Sequence, residues 1–136
     1  MATRRALVIG GSLGGLFAAH LLRSAGWDAV VFERNPDELT GRGAGLSTHP
    51  QLIDILRRIG IDFDESMGIK LDTFIFLDHS GKTYLEAKTV RTMSSWGRLH
   101  RSLRDPLPAQ SYRLGMSLQR VEQETGSVTA AFADGT

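Results

Sequence analysis

The stretch from Ala6 to Glu33 constrains this chain more than any other. A short apolar run, Ala6-Leu7-Val8-Ile9, breaks into the glycine cluster Gly10-Gly11-Ser12-Leu13-Gly14-Gly15. Helical periodicity follows, with Phe17, Ala18, Leu21, Leu22 and Ala25 predicted on one apolar face and Gly26 closing the helix. A second apolar run, Ala29-Val30-Val31-Phe32, ends in the acid Glu33. Strand, turn, helix and strand in this order predict an α/β fold that opens with a Rossmann-like βαβ unit.

Each part of that unit has a mechanical job. Gly10 makes the tight turn out of the strand, and Gly15 lets helix and strand pack closely. Backbone N–H groups at the helix start, aided by the helix dipole, suit a pyrophosphate. Glu33 ends the second strand about 20 residues on, where a carboxylate can accept hydrogen bonds from a ribose diol. The middle glycine of the G-x-G-x-x-G pattern is replaced by Ser12, which adds a hydroxyl and carries a conformational cost wherever φ must be positive. The unit is therefore predicted to bind a dinucleotide. A ribose 2′-phosphate would meet repulsion from Glu33.

Three rival readings concern the same residues. Gly10-Gly11-Ser12-Leu13-Gly14 also spells G-x-S-x-G, the nucleophile elbow of a serine hydrolase, with Ser12 as the nucleophile. Against it, only nine residues precede Gly10, too few for the earlier strands of such a sheet, and Gly15 and Glu33 are left unexplained. A bland helix–strand packing motif without a ligand is the second. Arg4-Arg5 before an apolar run has the look of a signal peptide, but the glycines serve the turn, so the segment is read as part of the fold.

Composition narrows the function further. The 136 residues are 41% hydrophobic and 23% charged, with a formal net charge of +1, which gives no electrostatic footprint for nucleic acid. There is no cysteine for a disulfide, a thiolate nucleophile or a metal ligand. His20, His49, His79 and His100 lack metal-ligand spacing and are expected at the surface or as caps. No apolar stretch predicts a membrane span, and a cytoplasmic setting is the default expectation.

Beyond Glu33 the pattern continues. Residues 34–48 form a polar loop carrying Gly41-Arg42-Gly43-Ala44-Gly45, and Thr48 is expected to start a helix with Pro50 in its first turn. Leu52, Ile55, Leu56 and Ile59 give that helix its stripe, and Gly60 ends it. Residues 70–77 and 82–87 read as strands about the turn Asp78-His79-Ser80-Gly81, and 89–93 as a further extended piece. A short helix is expected over 95–104, then strands over 111–124 and 127–133. The closing Asp134-Gly135 is a hairpin signal with no strand after it, so the fold reads as interrupted.

The run Ala6–Glu33, the segment Gly43-Ala44-Gly45-Leu46 with its helix, and the tail from Val121-Glu122 to Ala133-Asp134-Gly135 resemble the FAD-dependent aromatic hydroxylases. These are single-component flavin monooxygenases of the para-hydroxybenzoate hydroxylase type. Gly10-Gly11-Ser12 and Ser95-Trp96 look most like the branch that acts on dihydroxypyridines and related N-heteroaromatic acids. The resemblance covers nearly the whole chain as the N-terminal part of such an enzyme. It implies a partial FAD-binding domain over 1–136, apparently truncated, with 70–94 beginning a mixed substrate-binding sheet.

By that resemblance Gly10, Ser12, Leu13, Gly14 and Gly15 cradle the FAD pyrophosphate, and Glu33 takes the adenosine ribose. Arg34 lies on the adenine side, Arg42 reaches toward the flavin half, and the Leu118 backbone contacts adenine. Trp96 stands where many relatives carry an arginine. The implied activity is hydroxylation of a small aromatic substrate with NAD(P)H as co-substrate and O2, in which the cofactor carries the chemistry and no residue here is named as catalytic. The alternative is a non-catalytic fragment that binds FAD or NAD.

Overall fold

The computed structural model describes residues 4–39 and 43–136, Glu65 by its backbone alone. The chain divides into two compact units, Met1–Arg42 with His100–Thr136, and Gly43–Leu99.

In the first unit, β1 (Arg5–Ile9), α1 (Leu13–Ser24) and β2 (Asp28–Phe32) follow one another as predicted. β1 and β2 pair in parallel, with Ala6 beside Ala29 and Ile9 beside Phe32. Helix α1 ends through two bonds, from Gly26 N–H to the Arg23 carbonyl at 2.9 Å and from Trp27 N–H to the Leu22 carbonyl at 3.0 Å. Its buried face differs from the predicted one. Leu16, Ala19 and His20 are buried, whereas Leu21 is 42% exposed and Ala25 is exposed. The i, i+3, i+4 spacing is kept but the stripe is rotated, running through Leu16, Ala19 and a hydrogen-bonded His20. His20 Nε2 donates to the Leu103 carbonyl at 2.6 Å, which is how a histidine expected at the surface is held inside.

The second unit is built on an antiparallel sheet in the order β3 (Gly45–Ser47), β5 (Thr83–Ser95), β4 (Ile69–Leu77). The two extended pieces expected at 82–87 and 89–93 are one strand, β5. Its ladder with β4 shifts register between Leu71 and Thr73 and again between Phe76 and Leu77, where the longer strand takes up its extra residues. Helix α2 (Pro50–Arg58) is capped by His49, whose Nδ1 accepts from Leu52 N–H at 3.3 Å, and not by Thr48. Thr48 is buried, its hydroxyl donating to the Thr92 carbonyl at 2.9 Å. The sheet keeps large apolar side chains at the surface, Val90 being 94% exposed.

Helix α3 (Trp96–Arg104) begins one residue later than predicted, since Ser95 Oγ serves as its cap by accepting from Arg98 N–H at 3.3 Å. The strand predicted over 111–124 is two elements. β6 (Tyr112–Arg113) adds to β2 in parallel, giving the order β1-β2-β6, and β7 (Leu118–Glu124) pairs antiparallel with β8 (Ser127–Phe132). The break falls where Gly115 N–H donates to the Asn35 carbonyl at 2.9 Å and Met116 N–H to the Glu33 carbonyl at 2.8 Å. Val30, Phe32 and Phe132 form a small core, with the Phe32 and Phe132 rings stacked at 4.7 Å and Met116, Leu118 and Ala130 packed around them. No helix among the described residues is long and apolar enough to cross a membrane.

Candidate functional site

The turn from β1 into α1 is held from below by β2. Gly10, at φ +104°, adopts a backbone that side chains disfavour, and its N–H donates to the Phe32 carbonyl at 2.8 Å. A Cβ on Gly15 would overlap the Gly10 carbonyl oxygen, so the helix packs on the turn itself, with the Val8 side chain next at 3.4 Å. Nothing lies within 4 Å of where a Cβ on Gly14 would sit. Ser12 is exposed, in ordinary extended backbone at φ −77° and ψ −178°, so its replacement of glycine carries no conformational cost. The same relaxed backbone lacks the strain of a nucleophile elbow.

The first backbone bond of α1 runs from Leu16 N–H to the Ser12 carbonyl at 3.0 Å, and the Ser12 side chain makes no capping bond. The N–H groups of Leu13, Gly14 and Gly15 therefore have no acceptor within the helix, and they sit at its positive end. Unspent donors and open space at Gly14 fit a pyrophosphate.

Glu33 follows β2 and is only 8% exposed. Its carboxylate joins two loops, Oε2 accepting from Gly11 N–H at 2.7 Å and Oε1 from Asn35 N–H at 2.9 Å. One N–H on each oxygen leaves lone pairs for a further donor such as a ribose hydroxyl. Arg34 is exposed. Leu118 opens β7 opposite Phe132, its side chain against the small core. Arg42 lies outside the described residues. Arg98, one of the cations near Trp96, donates to the Ser66 carbonyl.

Three residues of the site escaped the sequence pattern. Gly11 fills an unspecified position of the motif, yet a Cβ there would overlap the Tyr112 hydroxyl and lie 2.8 Å from the Glu33 Cβ. Its carbonyl accepts from Tyr112 Oη at 3.0 Å and from His100 Nε2 at 2.9 Å. His100, expected at the surface, is 4% exposed. Burial, then the Glu33 anion, raises the Tyr112 phenol above its usual pKa of 10.0, with Arg104 opposing, so the hydroxyl keeps the proton it donates. No local spacing announces these partners, which reach Gly11 from 89 and 101 residues away.

A parallel βαβ turn with free helix-start donors and a buried strand-end acid defines a dinucleotide-binding fold. The profile of the family described as FAD binding domain matches residues 3–135, and the chain belongs to that family. It is 30% identical over 135 residues to 2,6-dihydroxypyridine 3-monooxygenase of Paenarthrobacter nicotinovorans, covering 98% of this chain and 34% of that one. It is 31% identical over 151 residues to 6-hydroxynicotinate 3-monooxygenase of Bordetella bronchiseptica, covering 97% and 37%. Among solved structures, 2,6-dihydroxypyridine-3-hydroxylase from Arthrobacter nicotinovorans matches with TM-score 0.87 at 29% identity, over 99% of this chain and 34% of that one. Klebsiella pneumoniae HpxO complexed with FAD and uric acid matches with TM-score 0.82 at 25% identity, over 98% and 36%. The chain thus spans about a third of the length of the curated relatives it matches.

Proposed function

We propose that the first unit binds the ADP half of FAD, and that the chain is the FAD-binding portion of a flavin-dependent monooxygenase. The observation that carries this reading is the buried Glu33 carboxylate, bonded to Gly11 N–H at 2.7 Å beside a helix start with unspent donors. Gly10 and Gly15 shape the turn, and the backbone of Ser12, Leu13 and Gly14 meets the pyrophosphate. Glu33 takes the ribose. Arg34 and the Leu118 backbone line the adenine side, and Arg42 serves the flavin half. When bound, the flavin supplies the redox chemistry, with NAD(P)H as reductant and O2 as the oxygen source. The substrate is a small aromatic or N-heteroaromatic ring, the class named for the relatives. The antiparallel sheet spanning residues 70–94 begins the substrate-binding sheet.

A second reading, a non-catalytic dinucleotide-binding fragment, is favoured by one observation. The residues the structure brings together, Gly11, Glu33, His100 and Tyr112, gather at one glycine turn, a geometry that suits the ADP half shared by FAD and NAD. Titrating the folded chain with FAD, followed by flavin fluorescence, separates the readings. Saturable one-to-one binding that NAD does not displace supports the flavin assignment. Equal competition by NAD supports the general dinucleotide module.

A further inference from the structure

We propose that Tyr112 and His100 are positioning residues that aim the Ser12 backbone N–H at the pyrophosphate by holding the Gly11 carbonyl inside the protein. The inference rests on the reading of the first unit as the ADP-half site. A carbonyl oxygen has two lone pairs, and here both are used, by Tyr112 Oη at 3.0 Å and His100 Nε2 at 2.9 Å. Since a carbonyl only accepts, His100 carries its proton on Nε2. The Gly11 carbonyl and the Ser12 N–H belong to one planar trans peptide and point in opposite directions. Anchoring the carbonyl against buried His100 therefore turns the Ser12 N–H outward, at an exposed residue.

A turn of consecutive glycines has little steric preference of its own, so it needs such outside restraints. The preceding peptide is fixed separately, by Gly11 N–H on Glu33. Glu33 and the Tyr112–His100 pair thus set two successive peptides, one toward the ribose acid and one toward the phosphates. Without the two donors, the Gly11–Ser12 peptide can rotate and present its carbonyl, which repels phosphate. The rings brace one another, His100 and Tyr112 meeting edge to face at 6.4 Å and the Arg104 guanidinium lying 5.6 Å over Tyr112.

The test measures ADP and FAD affinities by calorimetry on the full chain and its variants, with the thermal midpoint as a stability control. Tyr112→Phe keeps the ring and removes only the hydroxyl, and His100→Leu removes a donor while keeping apolar bulk. Each is expected to weaken ADP and FAD by the same factor, about three- to tenfold. His100→Gln, which returns an N–H to a similar position, should bind nearly as the wild type. The double variant should lose more than the product of the single losses. ADP affinities unchanged in Tyr112→Phe and His100→Leu, whatever their stability, would overturn the proposal, and these single variants decide it even if the double variant fails to fold. Wild-type binding of ADP without FAD would overturn the flavin reading while leaving the clamp tested by ADP. Binding of neither would overturn both.

Discussion

At the scale of single residues, the glycines of the turn are not equivalent, and their differences are measurable. Gly14 lies in the first turn of α1 with open space where a Cβ would stand. Gly14→Ala should leave stability unchanged or raise it by up to about 1 kcal/mol, since alanine is the better helix former. If the pyrophosphate takes that open space, as proposed, the added methyl competes for it and affinity for FAD should fall. Stability and binding moving in opposite directions, read by denaturant unfolding and flavin titration, would mark Gly14 as a binding residue. Glu33→Ala differs, because the acid also holds Gly11 and Asn35. Its loss should weaken FAD binding by about 1–3 kcal/mol and also lower stability, because two backbone N–H groups lose their acceptor. Unchanged affinity would count against the ribose role. Ser12→Gly should preserve binding, because Ser12 imposes no strain and its side chain makes no cap.

At the scale of elements, the turn joining β4 to β5 is organised by one carboxylate. Asp78 Oδ1 accepts from Ser80 N–H at 2.8 Å, Ser80 Oγ at 2.7 Å and Lys82 N–H at 3.0 Å. The Ser80 hydroxyl, then the backbone donors, hold the Asp78 pKa below its ordinary 3.8. A carboxyl depressed by folding contributes stability above its unfolded value and loses it as pH falls through the folded one. Protection of the amides at residues 78–82, taken relative to their intrinsic exchange rates, should therefore fall below pH 3.8, and Asp78→Asn should show lower protection at neutral pH with a flatter acid response. The Asp-His-Ser-Gly sequence announced this turn, just as the glycines announced the ends of α1 and α2. Local chemistry is legible in a sequence because its partners are a few residues apart. The split of 111–124 into β6 and β7 was not, because β6 exists only by pairing with β2, and the break is fixed by bonds to Glu33 and Asn35 far upstream. The buried stripe of α1 was misread for the same reason. His20 is held inside by a hydrogen bond that the Leu103 carbonyl, far along the chain, accepts from it.

At the scale of the whole molecule, ligand binding should reach one unit and not both. The glycine turn, Glu33, His100, Tyr112 and Leu118 all belong to the unit made of Met1–Arg42 and His100–Thr136. That unit is assembled from two chain segments with Gly43–Leu99 between them, so the site depends on pairing across a long insertion. ADP carries the pyrophosphate and the adenosine without the flavin, so it tests the site proposed for this unit. A ligand that binds only the folded state stabilises it by about 2.7 kcal/mol at one hundred times its dissociation constant. Under that saturation, hydrogen exchange should slow over residues 10–16, at 33–35 and around 112–118. The strands Ile69–Leu77 and Thr83–Ser95 should exchange as they do without ADP. Slowing confined to the first unit would place the ADP half on the residues named here. Equal slowing across β4 and β5 would mean that the stabilisation entering at the glycine turn is shared by the strands of the second unit.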